Sequence, residues 1–502
     1  MKENNTLIQY HKWKKKDFRT LKNSISKLLN INSLQFYQPF FSLYFYIHNT
    51  KFSHKLIDLK RKFYLKEITK ILKEKYYNSN LILEGNVFDS GKNTLDNKEL
   101  FCKIIPILDP IHCINNNYNL LKYNNYHLPS CYNFNTFNKI NDIDNSAYID
   151  ILCSYLFSDL VIKKILPSFA IFYGSANGLG EYKYDISEEY DELRIDKCFS
   201  DNIDKTFVLD MYVSSSEEES EEESEEESEE SEEEFDEDKS LSNYSSSNDT
   251  SDNESNSSYS DYNNDYIAKL KDIPLQLLFI EKLTGTLEDY LYSDNFNDKV
   301  LLSCLYQISF SLHYLQQHFD FTHNDLHINN VMYSETETKY LYYLFNNKYY
   351  RVPTYGKIFK IIDFGRSIFR YKNKIYMNNV FSKNSEAWGQ YEYPSQVQFL
   401  KENSELNGIK PSYNFDLCRL SMTILEEINN QNINEELFNL LKHMCTDKNG
   451  NNYCDMSDDF SLYINISKDA INSLPKDILN NKIFKCYRVT KKQFPHKSYY
   501  KI

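Results

Sequence analysis

A chain of 502 residues with 57 Lys and Arg against 72 Asp and Glu carries a net charge of −15 and is long enough for two lobes or domains. Its 10 Cys are scattered without a C-x-x-C pair, which excludes a disulfide framework or a zinc site and suits reduced, cytoplasmic thiols. The most apolar early stretch, residues 34–47, is broken by Gln35, Gln38 and Pro39 and is too short and polar to span a bilayer, so no membrane partner is expected.

The polar start, Met1 to Asn5, is not a signal peptide. Lys12, Lys14, Lys15 and Lys16 form a small basic cluster that reads as a solvated helix start, and a nucleic-acid partner is not expected. Residues 1–75 read as a mostly helical extension, because Leu56, Leu59, Phe63, Ile68, Ile71 and Leu72 recur at helical spacing. Its default role is packing against the segment that follows. Leu81 to Phe88 begins a strand pattern, Asp89 to Asn93 is a turn, and Glu99 to Ile107 is a second strand in which Lys103 alternates with apolar neighbours. Gly85 stands 18 residues before Lys103, with Val87 two further on.

Residues 108–144 are Asn-rich and read as a loop insertion. Ser146 to Lys164 has helical periodicity through Ile149, Leu152, Cys153, Leu156 and Leu160, with Asn145 or Ser146 as cap. The only carboxylates on that helix are Asp150 and Asp159. Phe169 to Tyr173 reads as a strand ending at Gly174. Residues 214–265 then form an acidic, serine-punctuated insert. Its Glu blocks between 217 and 234, with Asp236, Glu237 and Asp238, hold 17 acidic residues, and without them the net charge is +2. Such a run repels itself and cannot bury apolar area, so disorder is expected. It suits binding of basic partners or phosphorylation, since Ser220 and Ser224 each have Glu three residues downstream. An inert solubilising insert fits the composition equally well. Order resumes at Ile273 to Gly285, a strand running through Ile280, Glu281 and Leu283 into a turn.

Val300 to Phe319 is an amphipathic helix with Leu301, Leu302, Leu305, Ile308, Leu312 and Leu315 on its apolar face. It leads into His323-Asn-Asp-Leu-His-Ile-Asn-Asn330, and an apolar run then leads into Asp363-Phe-Gly-Arg366. H-x-D-L-x-x-x-N followed by D-F-G is the ordered pair of motifs that phosphoryl transfer uses. Asp325 is a carboxylate suited to orient an incoming hydroxyl and take its proton. Asn330, five residues on, and Asp363 offer the hard oxygen ligands that magnesium requires. A hairpin with the turn Asn346-Asn347 lies between the motifs. Asp416 opens a helix pattern near residue 415, where a carboxylate is favourable on dipole grounds. Residues 489–502 form a basic tail with no readable role.

Through Thr322 to Met332, Gly356 to Arg366 and Phe415 to Leu420, the chain resembles the protein kinase superfamily. More narrowly it resembles the serine/threonine protein kinases of mimivirus-type giant DNA viruses. The resemblance spans about Leu81 to Ile483. It implies an α+β, two-lobed protein-kinase-like fold, with residues 76–280 as a small β-rich lobe and 281–488 as a large catalytic lobe. It implies ATP and Mg2+ between the lobes, protein substrates, and a location in host cytoplasm or virion. On the matching positions it implies that Asp325 is the base and that Asn330 and Asp363 hold magnesium. Lys103 would hold the phosphates, with Asp150 in place of the usual helix Glu. Gly85 and Val87 would end a degenerate glycine-rich loop. The backbones of Glu281 and Leu283 would meet adenine, with Ile280 behind it. Asp416 would brace the catalytic loop. Asn324 stands where many protein kinases have an Arg that reads an activation-segment phosphate, and His327 stands where they have Lys. Haspin-like, aminoglycoside and choline kinases also carry D-L-H-x-x-N. A small-molecule phosphotransferase is therefore one alternative. The poor glycine loop and the missing helix Glu keep a pseudokinase scaffold as another, against which the retention of Lys103, Asp325, Asn330 and Asp363 argues; the missing A-P-E bears on peptide-substrate docking.

Overall fold

The computed structural model describes residues 8–41, 54–74, 78–118, 127–130, 138–213, 264–372, 374–383, 385–391, 411–428, 433–456, 460–495 and 498–502. Residues 214–263 of the expected insert and residues 392–410 lie outside them; the last two residues assigned to the insert, Asn264 and Asp265, and the stretch up to Ile273 are strand, which corrects the expected resumption of order at Ile273. The described chain is a mixed α/β protein, β-rich in its first half and helical afterwards.

The N-terminal segment corrects the helical expectation. Its described residues contribute one long helix, α1 (Lys15–Leu29), two short 3-10 turns at Pro39–Phe41 and His54–Leu56, a ribbon of Tyr10–Lys12 with Ile57–Leu59, and the strands β1 (Asn32–Gln35) and β2 (Phe63–Glu74). The helical spacing at 65, 68 and 71 has a physical cause. β2 pairs with β3 (Leu81–Asp89) through register shifts at Leu65/Glu67, Ile68/Lys70 and Ile71/Lys73. Each bulge puts two residues opposite one, so the inward-facing side chains recur every third residue instead of every second.

β3 alternates buried and half-buried positions along its length, as a strand with one covered face must. It turns at residues 90–93 into β4 (Thr94–Pro106), with the Asp89 carboxylate accepting the Gly91 and Lys92 amides. After α2 (Ser146–Ile162), capped by the Asn145 side chain, come β5 (Phe172–Asp185), β6 (Phe207–Val213) and β7 (Asn264–Glu281). The expected strand ending at Gly174 in fact begins at Phe172 and runs to Asp185. Gly174 marks a register shift within it. These strands form a seven-stranded sheet ordered β1-β5-β7-β4-β3-β2, with β6 beside β7.

The remainder is built on α3 (Asp298–Phe319), buried along almost its whole length. Two strands, β8 (Val331–Glu335) and β11 (Lys357–Ile361), pair antiparallel. Between them stands the expected hairpin, β9 (Tyr340–Phe345) and β10 (Lys348–Pro353). Asn346 and Asn347 both take positive φ at its tip, which is what a two-residue hairpin turn with native twist needs. The C-terminal tail completes this small sheet, with Arg488–Val489 beside β10 and Tyr500–Lys501 beside β9. β12 (Ile368–Tyr371) and β13 (Lys374–Met377) follow, then α4 (Phe415–Glu427), α5 (Glu435–Met444) and α6 (Phe460–Asp469).

α2 is buried on every side, as expected of a helix with no polar face. The sheet covers one side and the N-terminal segment the other, where Tyr37, Phe41, Ile57 and Leu59 share its apolar cluster. The Tyr155 hydroxyl donates to the Lys60 carbonyl. Next to it Arg61 is a buried staple. It pairs with Asp58 at 2.8 Å, donates to the carbonyls of Leu59, Phe63 and Tyr173, and lies over the Tyr64 and Phe172 rings. A Cβ on Gly174 would come within 2.6 Å of this guanidinium, which is why a residue without one stands there.

Arg61→Ala leaves the Asp58 carboxylate, 2% exposed, without its cation, with only the Trp13 indole and the Leu59 amide donating to it, and is expected to cost about 3 kcal/mol, the loss typical of breaking a buried pair from one side. Urea unfolding of the two proteins checks this; a loss under about 1 kcal/mol, the range of surface pairs, would show the staple to be inert.

Candidate active site

Five segments converge on one cleft. β4 brings Lys103, and α2 brings Asp150. The loop after α3 brings His323 to Asn330, the end of β11 brings Asp363 to Arg366, and the first turn of α4 brings Asp416. The two motifs lie side by side because Val331 pairs with Ile361 at the start of the β8–β11 ladder. Asn330 and Ile362 are then joined by a backbone bond, Ile362 N–H to Asn330 O at 3.1 Å. The 32 residues between the motifs leave as the hairpin and return without disturbing this contact.

Asp416 is fully buried and fixes the loop from below. Its carboxylate accepts the His323 amide at 2.9 and 3.1 Å and the Asn324 amide at 3.0 Å. Burial raises its affinity for a proton, and the electrostatics of His323 oppose that. The His323 imidazole bonds the Ile362 carbonyl at 2.8 Å and meets the Phe364 ring, which packs in turn on Phe157 of α2. Asn324 takes φ 63°. Its amide donates to the Arg366 carbonyl at 3.1 Å, and its oxygen accepts the Tyr391 hydroxyl at 2.8 Å. This neutral bridge stands where the family resemblance expects a phosphate-reading Arg.

Lys103 is the electrostatic centre. Its ammonium lies 2.8 Å from Asp150 and 2.8 Å from Asp363. Burial works against its charge, but the two carboxylates outweigh that and hold it above the ordinary lysine range. Asp363 shows the converse. Burial would raise it, and Lys103 instead holds it well below the usual carboxylate range. The other Asp150 oxygen accepts the Phe364 amide at 3.1 Å. Asp150 therefore ties β4 to the D-F-G turn, where Asp363 is held at φ 61°. A left-handed Asp is strained, and it persists because several contacts dictate it.

The Asn330 amide nitrogen donates to the Asp325 carbonyl at 2.8 Å and to His327 Nε2 at 3.0 Å. A carbonyl can only accept, so this bond fixes which amide atom is nitrogen and leaves Oδ1 as the ligand-capable atom. Burial pushes His327 below the ordinary imidazole value, with Asp325 opposing it. Asp325, Lys103, Asp150, Asp363 and Arg366 line one cavity of about 450 Å3. Behind it lies an apolar cavity of about 150 Å3, lined by Asn80, Phe101, Lys103, Leu278, Ile280, Ile361 and Phe364.

Two expected residues are not at the cleft. Gly85 and Val87 lie within the body of β3, paired with β4 at Lys98 and Asp96. Gly85 is needed for packing: a Cβ there would stand 2.8 Å from the Glu67 carbonyl and 2.9 Å from Leu65. Asn80, just before β3, reaches the cleft and accepts the Ile104 amide at 3.1 Å. Glu281 is the last residue of β7 and Leu283 lies two residues past its end; neither is among the residues that line the two cavities, whereas Ile280 is. The Glu281 amide bonds the Ile171 carbonyl, and its carboxylate pairs with Lys360 of β11. Phe101 escaped notice in the sequence. It stands two residues before Lys103 on the same face, opposite Ile280, and the period of two was the available signal.

No family model matches the sequence. Two curated proteins, the serine/threonine-protein kinases haspin of Bos taurus and Mus musculus, are 32% and 31% identical to it over 114 residues. That stretch is 22% of this chain and 15% of each haspin. The likeness is to protein-kinase-like sequence and supports a kinase or transferase character.

Asp363 is expected to make stability acid-sensitive. Its lowered value means that its contribution is full above the unfolded carboxylate value of about 4 and is lost as pH falls through the folded one. The stability gap between wild type and Asp363→Asn should therefore narrow from pH 7 to pH 3, read as urea midpoints. A constant gap would mean that the Lys103 contact does not favour the ionised form.

Proposed function

We propose that the chain is an ATP- and Mg2+-dependent protein kinase of two lobes that transfers the γ-phosphate to Ser or Thr of protein substrates. The observation that carries this reading is the Lys103 ammonium held at once by Asp150 and Asp363, in front of Asp325. The donor set fits the group: Asn330 Oδ1 and the Asp363 carboxylate are hard oxygens of the kind magnesium takes. Bound magnesium–ATP supplies the phosphoryl group and neutralises charge on it. In this reading Lys103 holds the phosphates, Asn330 and Asp363 hold the metal, and Asp325 orients the acceptor hydroxyl and takes its proton. Such residues act by position and charge, which is most of what phosphoryl transfer needs. Glu281 and Leu283 would offer backbone groups to adenine. A cytoplasmic location and the acidic insert's role as a docking or phosphorylation segment belong to the same reading.

One observation favours a scaffold without catalysis. Phe101 narrows the apolar end of the cleft, and about 150 Å3 is below the roughly 300–1,000 Å3 of ordinary ligand pockets. The Phe101 ring has to turn aside, or stack on the base, for adenine to enter.

Transfer of labelled γ-phosphate, wild type beside Asp325→Ala, tests the proposal on a protein mixture and a panel of small hydroxylated molecules. Label on protein, lowered at least about 100-fold in the variant, is expected from loss of a positioned general base. Label on small molecules alone would reassign the substrate class, and no transfer to either would favour the scaffold. The Asn324–Tyr391 bridge predicts a second outcome: phosphatase treatment leaves activity within about twofold, since no arginine there awaits a phosphate. Loss of activity on dephosphorylation would contradict it.

A further inference from the structure

The cavity in front of Asp363 contains a cation with no role in the account so far. Arg366 follows D-F-G directly and lines that cavity beside Lys103, Asp325 and Asp363. Its main chain is tied to the catalytic loop through the Asn324 amide. Its guanidinium pairs with Glu386 across the cavity rim; the arginine side chain is 28% exposed and the glutamate 66%. The carboxylate is thus the solvent-side partner, and Asp325 lines the same cavity as the arginine.

A cation is needed at this place. Charge on a transferring phosphoryl group spreads over three oxygens and is stabilised by preplaced cations. Lys103 is already shared between Asp150 and Asp363. His327 does not supply one in this arrangement. Its Nε2 accepts from Asn330, whose amide orientation is set by the Asp325 carbonyl, so the ring presents a lone pair there. A guanidinium is permanently charged and presents parallel N–H groups that match phosphate oxygens.

We propose that Arg366 is a catalytic residue that contacts the γ-phosphate on the acceptor side, between Asp325 and Glu386. This rests on the kinase reading above. As Asp325 takes the acceptor hydroxyl's proton, the new O–P bond forms and the bond from phosphorus to the oxygen retained by ADP breaks. Arg366 makes and breaks no covalent bond and holds charge on the oxygens between the two.

The test compares wild type, Arg366→Gln, Arg366→Lys and Glu386→Gln, using displacement of a fluorescent nucleotide by Mg2+–ATP and by Mg2+–ADP. Arg366→Gln is expected to weaken ATP about tenfold, the worth of one charge-assisted contact, and to leave ADP within about twofold. Arg366→Lys should recover part of the ATP affinity. Glu386→Gln, which breaks the ion pair but keeps the cation, should retain the preference for ATP over ADP that Arg366→Gln loses. Equal weakening of ATP and ADP by Arg366→Gln, no weakening at all, or a Glu386→Gln variant as impaired as Arg366→Gln would overturn the proposal and make the arginine a strut for its segment. Wild type that binds neither nucleotide would overturn the kinase reading itself.

Discussion

Everything at the cleft depends on one ammonium group placed between two carboxylates from distant parts of the chain. Lys103 comes from a strand, Asp150 from a helix and Asp363 from a turn more than 200 residues further on, and both contacts are 2.8 Å. Removing Lys103 leaves two carboxylates facing one half-buried site without a cation, which is why such groups are costly alone and stable together. Asp150 extends the arrangement by accepting the Phe364 amide. The strand, the helix and the D-F-G turn are thereby one electrostatic unit.

An Asp in that helix position reaches less far than a Glu would, so the helix itself must come close to the strand. The packing explains how it stays there. α2 is apolar all round and enclosed, with the sheet on one side and the N-terminal segment on the other. The Tyr155–Lys60 bond and the Arg61 staple fix the outer cover to the same helix and sheet. The aromatic contacts Phe157–Phe364–His323 and the Asp416 carboxylate carry the constraint into the loop 323–330.

The parts of the site that were legible in the sequence are those in which chemistry demands residues at fixed spacing. His323, Asp325 and Asn330 belong to one short motif and Asp363 to another; Asp325 and Asp363 line one cavity with Lys103 and Asp150, while His323 and Asn330 are buried and bond the Ile362 and Asp325 carbonyls. The buried helices and the Asn346–Asn347 hairpin were legible for the same reason, since period and turn chemistry are local. Long-range packing was not legible. The bulges of β2 imitate a helical repeat. A lone glycine in a strand signals either a loop or a close approach, and Gly85 proves to be the second. Phe101 and Arg366 looked like ordinary neighbours of better-known residues until the fold showed what they face.

The most direct measurement is a double-mutant cycle on Mg2+–ATP affinity with wild type, Lys103→Met, Asp150→Asn and the double variant, by titration calorimetry. If Asp150 acts by positioning Lys103, each single change weakens binding and the double change loses less than the sum, with a coupling of about 1 kcal/mol or more. Additive losses would mean that the two side chains act separately, and a wild type without affinity for the nucleotide would contradict the account at its root.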